Sequence, residues 1–88
     1  MSSPEVVRTP DVLDGEPRLA GTSVAVLEVW SYVRELEWSH DETARQLSLS
    51  EAQIRTAIDY CENNPEEIAA VREARREREA AMAADLDG

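Results

Sequence analysis

The sequence predicts a mainly α-helical protein with a short N-terminal β-hairpin or extended arm, a three-helix helix-turn-helix core and a projecting C-terminal helix. Apolar residues recur at helical spacing from Val24 onward. Polar capping sequences then divide the rest of the chain into separate helices. A chain of 88 residues is long enough for one compact domain. We divide it into an arm at 1–23, a core at 24–64, and a helix with a frayed tail at 65–88.

The arm contains two short extended segments separated by turn residues. Val6–Arg8 and Arg18–Leu19 are the extended segments, and Asp14–Gly15 between them readily takes positive backbone angles. Pro10 and Pro17 lack an amide donor, so any strands here are short or lie at an edge.

The first helix follows the arm. Apolar side chains at helical spacing predict one stripe that faces the core. These residues are Val26, Val29, Trp30, Val33 and Leu36.

Two capping boxes place the next two helices. In both Ser39–Glu42 and Ser50–Gln53, a serine stands three residues before a Glu or Gln that can reach back to it. These boundaries predict helices over about 40–47 and 51–63. A connection of about three residues between two helices is typical of a helix-turn-helix.

One apolar stripe on this pair completes a three-helix core. Its members are Ala44, Leu47, Ile54, Ala57, Ile58 and Cys61. We interpret Cys61 as a small buried hydrophobic residue, because the sequence places no general base beside it.

The last helix begins with Asn64 as its cap and Pro65 at its first position. Ile68 and Val71 are apolar anchors, but beyond them the chain is rich in Arg, Glu and Ala. We expect this helix to project from the core and to fray near its end. Either a partner orders it or it is a solvated terminal helix.

The charge balance is strongly acidic. Nineteen acidic residues oppose nine basic ones, all of them arginine, and the net charge is -10. The excess is spread along the chain, which favours a halophilic host with acidic, salt-soluble proteins over an acidic tail. Ordinary acidity is the alternative interpretation.

The residue types needed for chemistry are sparse. His40 is the single histidine, and no glycine-rich loop is present to hold a phosphate. We therefore predict a protein that is not an enzyme and takes no cofactor or metal. The sequence has no apolar run of membrane-spanning length and no signal peptide, so we expect a cytoplasmic protein.

Two stretches of the sequence resemble one known family. Gly15–Val26 is similar to the opening motif of the domain of unknown function 433 family, and Leu49–Ile68 is similar to its recognition-helix region and the helix that follows. The resemblance implies a small helix-turn-helix domain, commonly dimeric, that acts as an antitoxin to a toxin resembling PIN-domain ribonucleases. Ser23 and Ala20 depart from the motif where the family usually has basic residues, which weakens any implied anion contact there.

The first functional hypothesis is an antitoxin that also represses its own operon, with a dimer placing the 51–63 helices in successive major grooves of double-stranded DNA. The residues that would reach bases or phosphates are Arg45, Ser50, Gln53, Arg55, Thr56 and Tyr60. The acidic charge opposes this role, because much of the affinity for DNA comes from cation release.

The second hypothesis is an antitoxin that binds only protein and lays its terminal helix across a ribonuclease-like toxin. Arginine suits this role because it pairs bidentately with active-site carboxylates. The predicted contact residues are Ile68, Val71, Arg72, Arg75, Arg76 and Arg78. The two antitoxin roles are compatible. A third hypothesis is a transcriptional regulator without a toxin, or a degenerate remnant.

Overall fold

The structure is a computed structural model that describes residues 4–87, with side chains described from residue 4 to residue 83. Residues 1–3 of the predicted arm and residue 88 of the predicted tail lie outside the described residues. The elements in chain order are β1 (Val6–Val7), β2 (Arg18–Leu19), α1 (Val26–Trp30, continued by a π-helical turn at Ser31–Glu35), α2 (His40–Leu47), α3 (Glu51–Asn63) and α4 (Pro65–Asp87). The mainly helical fold class is confirmed.

The N-terminal segment is a hairpin rather than an unpaired arm. β1 and β2 pair antiparallel, with Val6 opposite Leu19. The connection turns through a short 3-10 segment at Leu13–Gly15, where Asp14 has a φ of 55° and Gly15 a φ of 80°. The positive backbone angles predicted for this dipeptide are therefore present, and they bring the two short strands together.

The first helix buries most of its predicted stripe. Val26 and Val29 are fully buried, and Trp30 and Val33 pack partly buried against the core. The prediction was wrong for Leu36, which is 57% exposed. The turn before it is π-helical, with the Leu36 amide donating to the Ser31 carbonyl at 3.0 Å. A π turn holds more residues than an α turn, so it rotates Leu36 away from the stripe as the helix ends.

The two capping sequences start α2 and α3 at the predicted residues. Ser39 accepts from the Glu42 amide at 3.0 Å, and Ser50 accepts from the Gln53 amide at 3.1 Å. The box is complete only at Ser50, where the Gln53 side chain accepts from the Ser50 amide at 2.8 Å. The predicted return contact from Glu42 is absent, because its carboxylate accepts instead from Arg45 at 2.8 Å.

The connection between α2 and α3 is three residues long, as predicted. Ser48 ends α2 in the left-handed conformation with a φ of 56°. The Leu49 amide then donates to the Ala44 carbonyl at 2.9 Å, which satisfies the end of the helix. This turn sets α3 across the inner face of α1 without a glycine.

The core lies between α1, α3 and the start of α4. Side chains from the hairpin and α2 close its edges. The buried apolar residues of this cluster are Leu19, Val26, Leu27, Val29, Ala44, Ile54, Ala57, Ile58, Cys61, Ile68 and Val71.

α4 begins at the predicted proline but is capped differently from the prediction. The Asn64 side-chain amide donates back to the Tyr60 carbonyl at 2.9 Å, so it completes the end of α3. Only the Asn64 backbone carbonyl serves α4, accepting from the Ile68 amide at 3.0 Å. The helix then continues to Asp87, a length of about 34 Å at 1.5 Å per residue. Within residues 4–87, no helix combines the length and apolar character that crossing a membrane requires.

Candidate binding surfaces

The outer face of α3, the predicted DNA-reading surface, is acidic. Its exposed side chains include Glu51, Asp59 and Glu62 beside a single cation, Arg55. Phosphates approaching this face therefore meet three carboxylates and two guanidinium groups, because Arg34 pairs with Glu62 at 2.6 Å. That arrangement weakens the electrostatic attraction on which binding to nucleic acid largely depends.

The side chains predicted to reach DNA are mostly engaged within the protein. Ser50 and Gln53 hold each other in the capping box. Arg45 pairs with Glu42 at 2.8 Å within α2. Thr56 is half-buried in a groove beside β1. Arg55 differs from these, since it is exposed and forms no ion pair with the side chains the structure describes.

Tyr60, the sixth predicted DNA contact, faces α4 instead. Its hydroxyl donates to the Glu67 carboxylate at 2.6 Å, and the same carboxylate pairs with Arg8 at 3.0 Å. Burial, followed by the hydrogen bond to Glu67, raises the pKa of Tyr60 to about 12. The hydroxyl therefore stays protonated at neutral pH and ties α3 to α4.

The buried Glu16 and the partly exposed Arg75 and Arg78 form a charge cluster, hereafter the Glu16 clamp, that fastens the N-terminal segment to α4. The Glu16 side chain is 9% exposed and accepts from Arg75 at 2.6 and 2.9 Å and from Arg78 at 3.0 Å. Burial alone would raise the pKa of Glu16, but the hydrogen bonds and charges of both arginines outweigh it and lower that pKa below its ordinary value of 4.5.

Most of the predicted toxin-contacting residues already contact other parts of the protein. Ile68 and Val71 are 6% and 7% exposed and belong to the core, so they present no surface to a partner in this conformation. Arg72 pairs with Glu35 at 3.3 Å, and Arg75 and Arg78 belong to the Glu16 clamp.

Arg76 is the most exposed member of the predicted set. It is 72% exposed, and its ion pair among the described residues is the 3.7 Å contact with Glu73 of the same helix. Farther along α4, Met82 is 65% exposed. We call the stretch from Arg76 to the end of α4 its free half, within which Arg78 alone of the described side chains contacts the N-terminal segment.

Cys61 is buried, in agreement with the interpretation from sequence. It is 5% exposed, and its thiol donates to the Val26 carbonyl with the sulfur 3.6 Å from the oxygen. Burial raises the pKa of the thiol to about 11, so it remains protonated and unreactive at neutral pH. Within the described part of the chain, no three His, Cys, Asp or Glu side chains are grouped to hold a metal ion.

Sequence reasoning missed the role of Glu16. It lies 59 residues from Arg75, and no local pattern links the two positions. The surrounding Gly-Glu-Pro sequence indicates a turn but not its distant partner.

These features define a small, mainly helical protein with an N-terminal hairpin, a closely spaced helical pair and a long terminal helix. Residues 6–61 match the family model described as "Protein of unknown function (DUF433)", and the chain belongs to that family. The matched residues cover β1 to α3 and end before α4. Comparison with curated proteins found no match, and comparison with solved structures found none.

Proposed function

We propose that this protein is a cytoplasmic antitoxin that binds and neutralises a PIN-like ribonuclease toxin, acting by binding rather than by catalysis. The observation that carries the proposal is the free half of α4. The helix continues to Asp87, Val71 is its last buried residue among the side chains described up to residue 83, and its free half presents Arg76 and Met82 to solvent. An exposed helix anchored firmly at one end is suited to docking in a partner's groove.

Charge supports a nuclease as the partner. A ribonuclease must attract a polyanionic substrate, so the surface that leads to its active site is basic. This chain carries a net charge of -10 and would bind such a surface in place of RNA. Arg76 on α4 is then available to pair with the carboxylates of a metal-dependent active site.

The test is rescue of cells that express the protein encoded by the neighbouring gene, which the proposal requires to be a ribonuclease-like toxin. Truncation after Arg78 removes much of the free half but keeps Ile68, Val71 and the Glu16 clamp, so the core should remain folded. The truncated chain keeps Arg76 but loses Met82 and the rest of the free half, so we expect it to rescue less well than the full-length chain. Arg76→Ala in the full-length chain should weaken the purified complex about tenfold.

Arg55→Ala is the matched control, because it removes another exposed arginine, from α3. It should leave rescue and toxin affinity unchanged. Full rescue by the folded truncated protein, or a neighbouring gene product that is not a toxic nuclease, would contradict the proposal.

A second candidate role is repression of the protein's own operon by a homodimer. It is favoured by the three-residue connection between α2 and α3 and by Arg55, the free cation on the outer face of α3. The acidic surface is suited to a halophilic host. In molar salt, cation release contributes less to the DNA affinity of every protein, so the acidic charge of this chain opposes DNA binding less strongly there.

We expect a footprint over the promoter of its own operon, lost in Arg55→Ala and retained in Arg76→Ala. Footprinting with and without the toxin, in dilute and in molar salt, measures this. Absence of protection under all four conditions would exclude the role. Protection by a protein that has no toxin would favour a stand-alone regulator.

A further inference from the structure

The segment that joins α1 to α2 carries an apolar surface outside the core. Tyr32 and Trp38 stack on each other with ring centroids 4.7 Å apart and an interplanar angle of 28°. Both rings are partly exposed, and neither belongs to the core cluster. Leu36 between them is 57% exposed. We call Tyr32, Leu36, Glu37 and Trp38 the α1–α2 corner.

The backbone holds these side chains in place at an energetic cost. The π-helical turn at Ser31–Glu35 turns Leu36 outward, and Glu37 takes a left-handed conformation with a φ of 58°. A glycine would adopt that angle more favourably by about 1 kcal/mol. The Trp38 amide closes the bend by donating to the Tyr32 carbonyl at 2.9 Å. Strained backbone beside exposed apolar side chains is typical of a binding surface.

The negative charge around the α1–α2 corner favours a basic partner. Between Ser31 and Glu42 the chain has one arginine and four carboxylates, of which Glu35 pairs with Arg72, and Asp41 and Glu42 share Arg45. That arginine, Arg34, is occupied, because it pairs with Glu62 at 2.6 Å and lies 5.5 Å from the centre of the Trp30 ring. Glu37 forms no ion pair with the side chains the structure describes.

We propose that the α1–α2 corner binds an arginine- or lysine-bearing segment of a basic partner protein. An apolar side chain of the segment covers Leu36, and its cation lies against the Tyr32 and Trp38 rings with Glu37 beside it. Glu37, which has no ion pair among the described side chains, disfavours the acidic surface of a second copy and the phosphates of nucleic acid at this corner. The corner is separate from the free half of α4, so it adds a second contact to the proposed function.

The test is an NMR titration of the full chain, in 0.15 M NaCl, with a five-residue peptide of alternating arginine and leucine. A peptide with glutamate in place of arginine is the ligand control. We expect shift changes concentrated in residues 30–42 for the basic peptide only. Leu36→Ala and Glu37→Gln should each weaken its binding about threefold.

Two control variants distinguish binding at the α1–α2 corner from nonspecific binding to the acidic surface. Leu13→Ala shortens another exposed leucine, and Glu51→Gln removes another exposed carboxylate. Neither should change the affinity measurably. Shift changes spread over the whole acidic surface, or equal weakening by these two variants, would overturn the proposal. The assay contains no toxin, so its outcome is independent of the rescue experiment.

Discussion

Glu16→Gln is expected to lower the free energy of unfolding by about 2 kcal/mol at neutral pH. The Glu16 carboxylate is 9% exposed and accepts three hydrogen bonds from Arg75 and Arg78. Glutamine keeps the shape but removes the charge and one of the two acceptor atoms. The loss stays below the 3–5 kcal/mol typical of a fully buried pair, because Arg75 and Arg78 are 37% and 43% exposed and can turn to water.

Low pH should remove the stabilisation that the ionised Glu16 carboxylate gives the natural chain. A carboxyl with a lowered folded-state pKa contributes stability that is fully present above its unfolded value and is lost as the pH falls through the folded value. For Glu16 the loss begins near its ordinary value of 4.5 and continues below it. The natural chain and Glu16→Gln should therefore converge in stability as the pH falls below that value.

Urea denaturation followed by circular dichroism, at pH 7 and at steps below pH 4.5, measures this difference. Glu73→Gln is the control, because it removes a carboxylate from an exposed pair with Arg76 at 3.7 Å and should cost less than about 0.5 kcal/mol. A Glu16→Gln protein as stable as the natural chain at pH 7 would show that the clamp does not stabilise the fold.

Ile54→Ala should lower the free energy of unfolding by about 3 kcal/mol. Ile54 lies in the first turn of α3 with no exposed surface, in the same cluster as Val26 and Val29 of α1. Removing most of its side chain leaves a cavity in the packing of α3 against the first helix. A domain of this size is stable by only about 5–15 kcal/mol, so the loss is a large part of the total.

Thermal and urea unfolding of Ile54→Ala and Ile54→Val give the measurement, with about 1 kcal/mol expected for valine. Val26→Ala, from the facing helix, should couple non-additively with Ile54→Ala because both side chains line one core. Losses below about 1 kcal/mol for alanine would mean that α3 does not depend on this packing.

The bounds of α2 and α3 were predictable because their signals are local. A capping serine and the residue whose amide it accepts from are three positions apart. In the structure, α2 begins directly after Ser39 and α3 directly after Ser50. The turn at Asp14–Gly15 is local in the same sense, since the angles depend on those residues themselves.

The candidate surfaces were less predictable. Helical spacing shows which side chains lie outside the buried stripe, but it does not show which residues they contact. Tyr60 is off the stripe as predicted, yet it bonds to Glu67 of the next helix. Arg72 and Arg75 pair with residues of other elements while Arg76 pairs only within α4, and nothing in the run of arginines predicts this difference.

The sequence by itself determined the helical class, the order of the elements and the acidic surface, because these follow from periodicity, capping and composition. Only the tertiary structure decided that Glu16 meets Arg75 across 59 residues and that a π turn exposes Leu36. Local rules act over about four residues. Contacts between distant residues depend on how whole elements pack, so they appear only once the chain is folded.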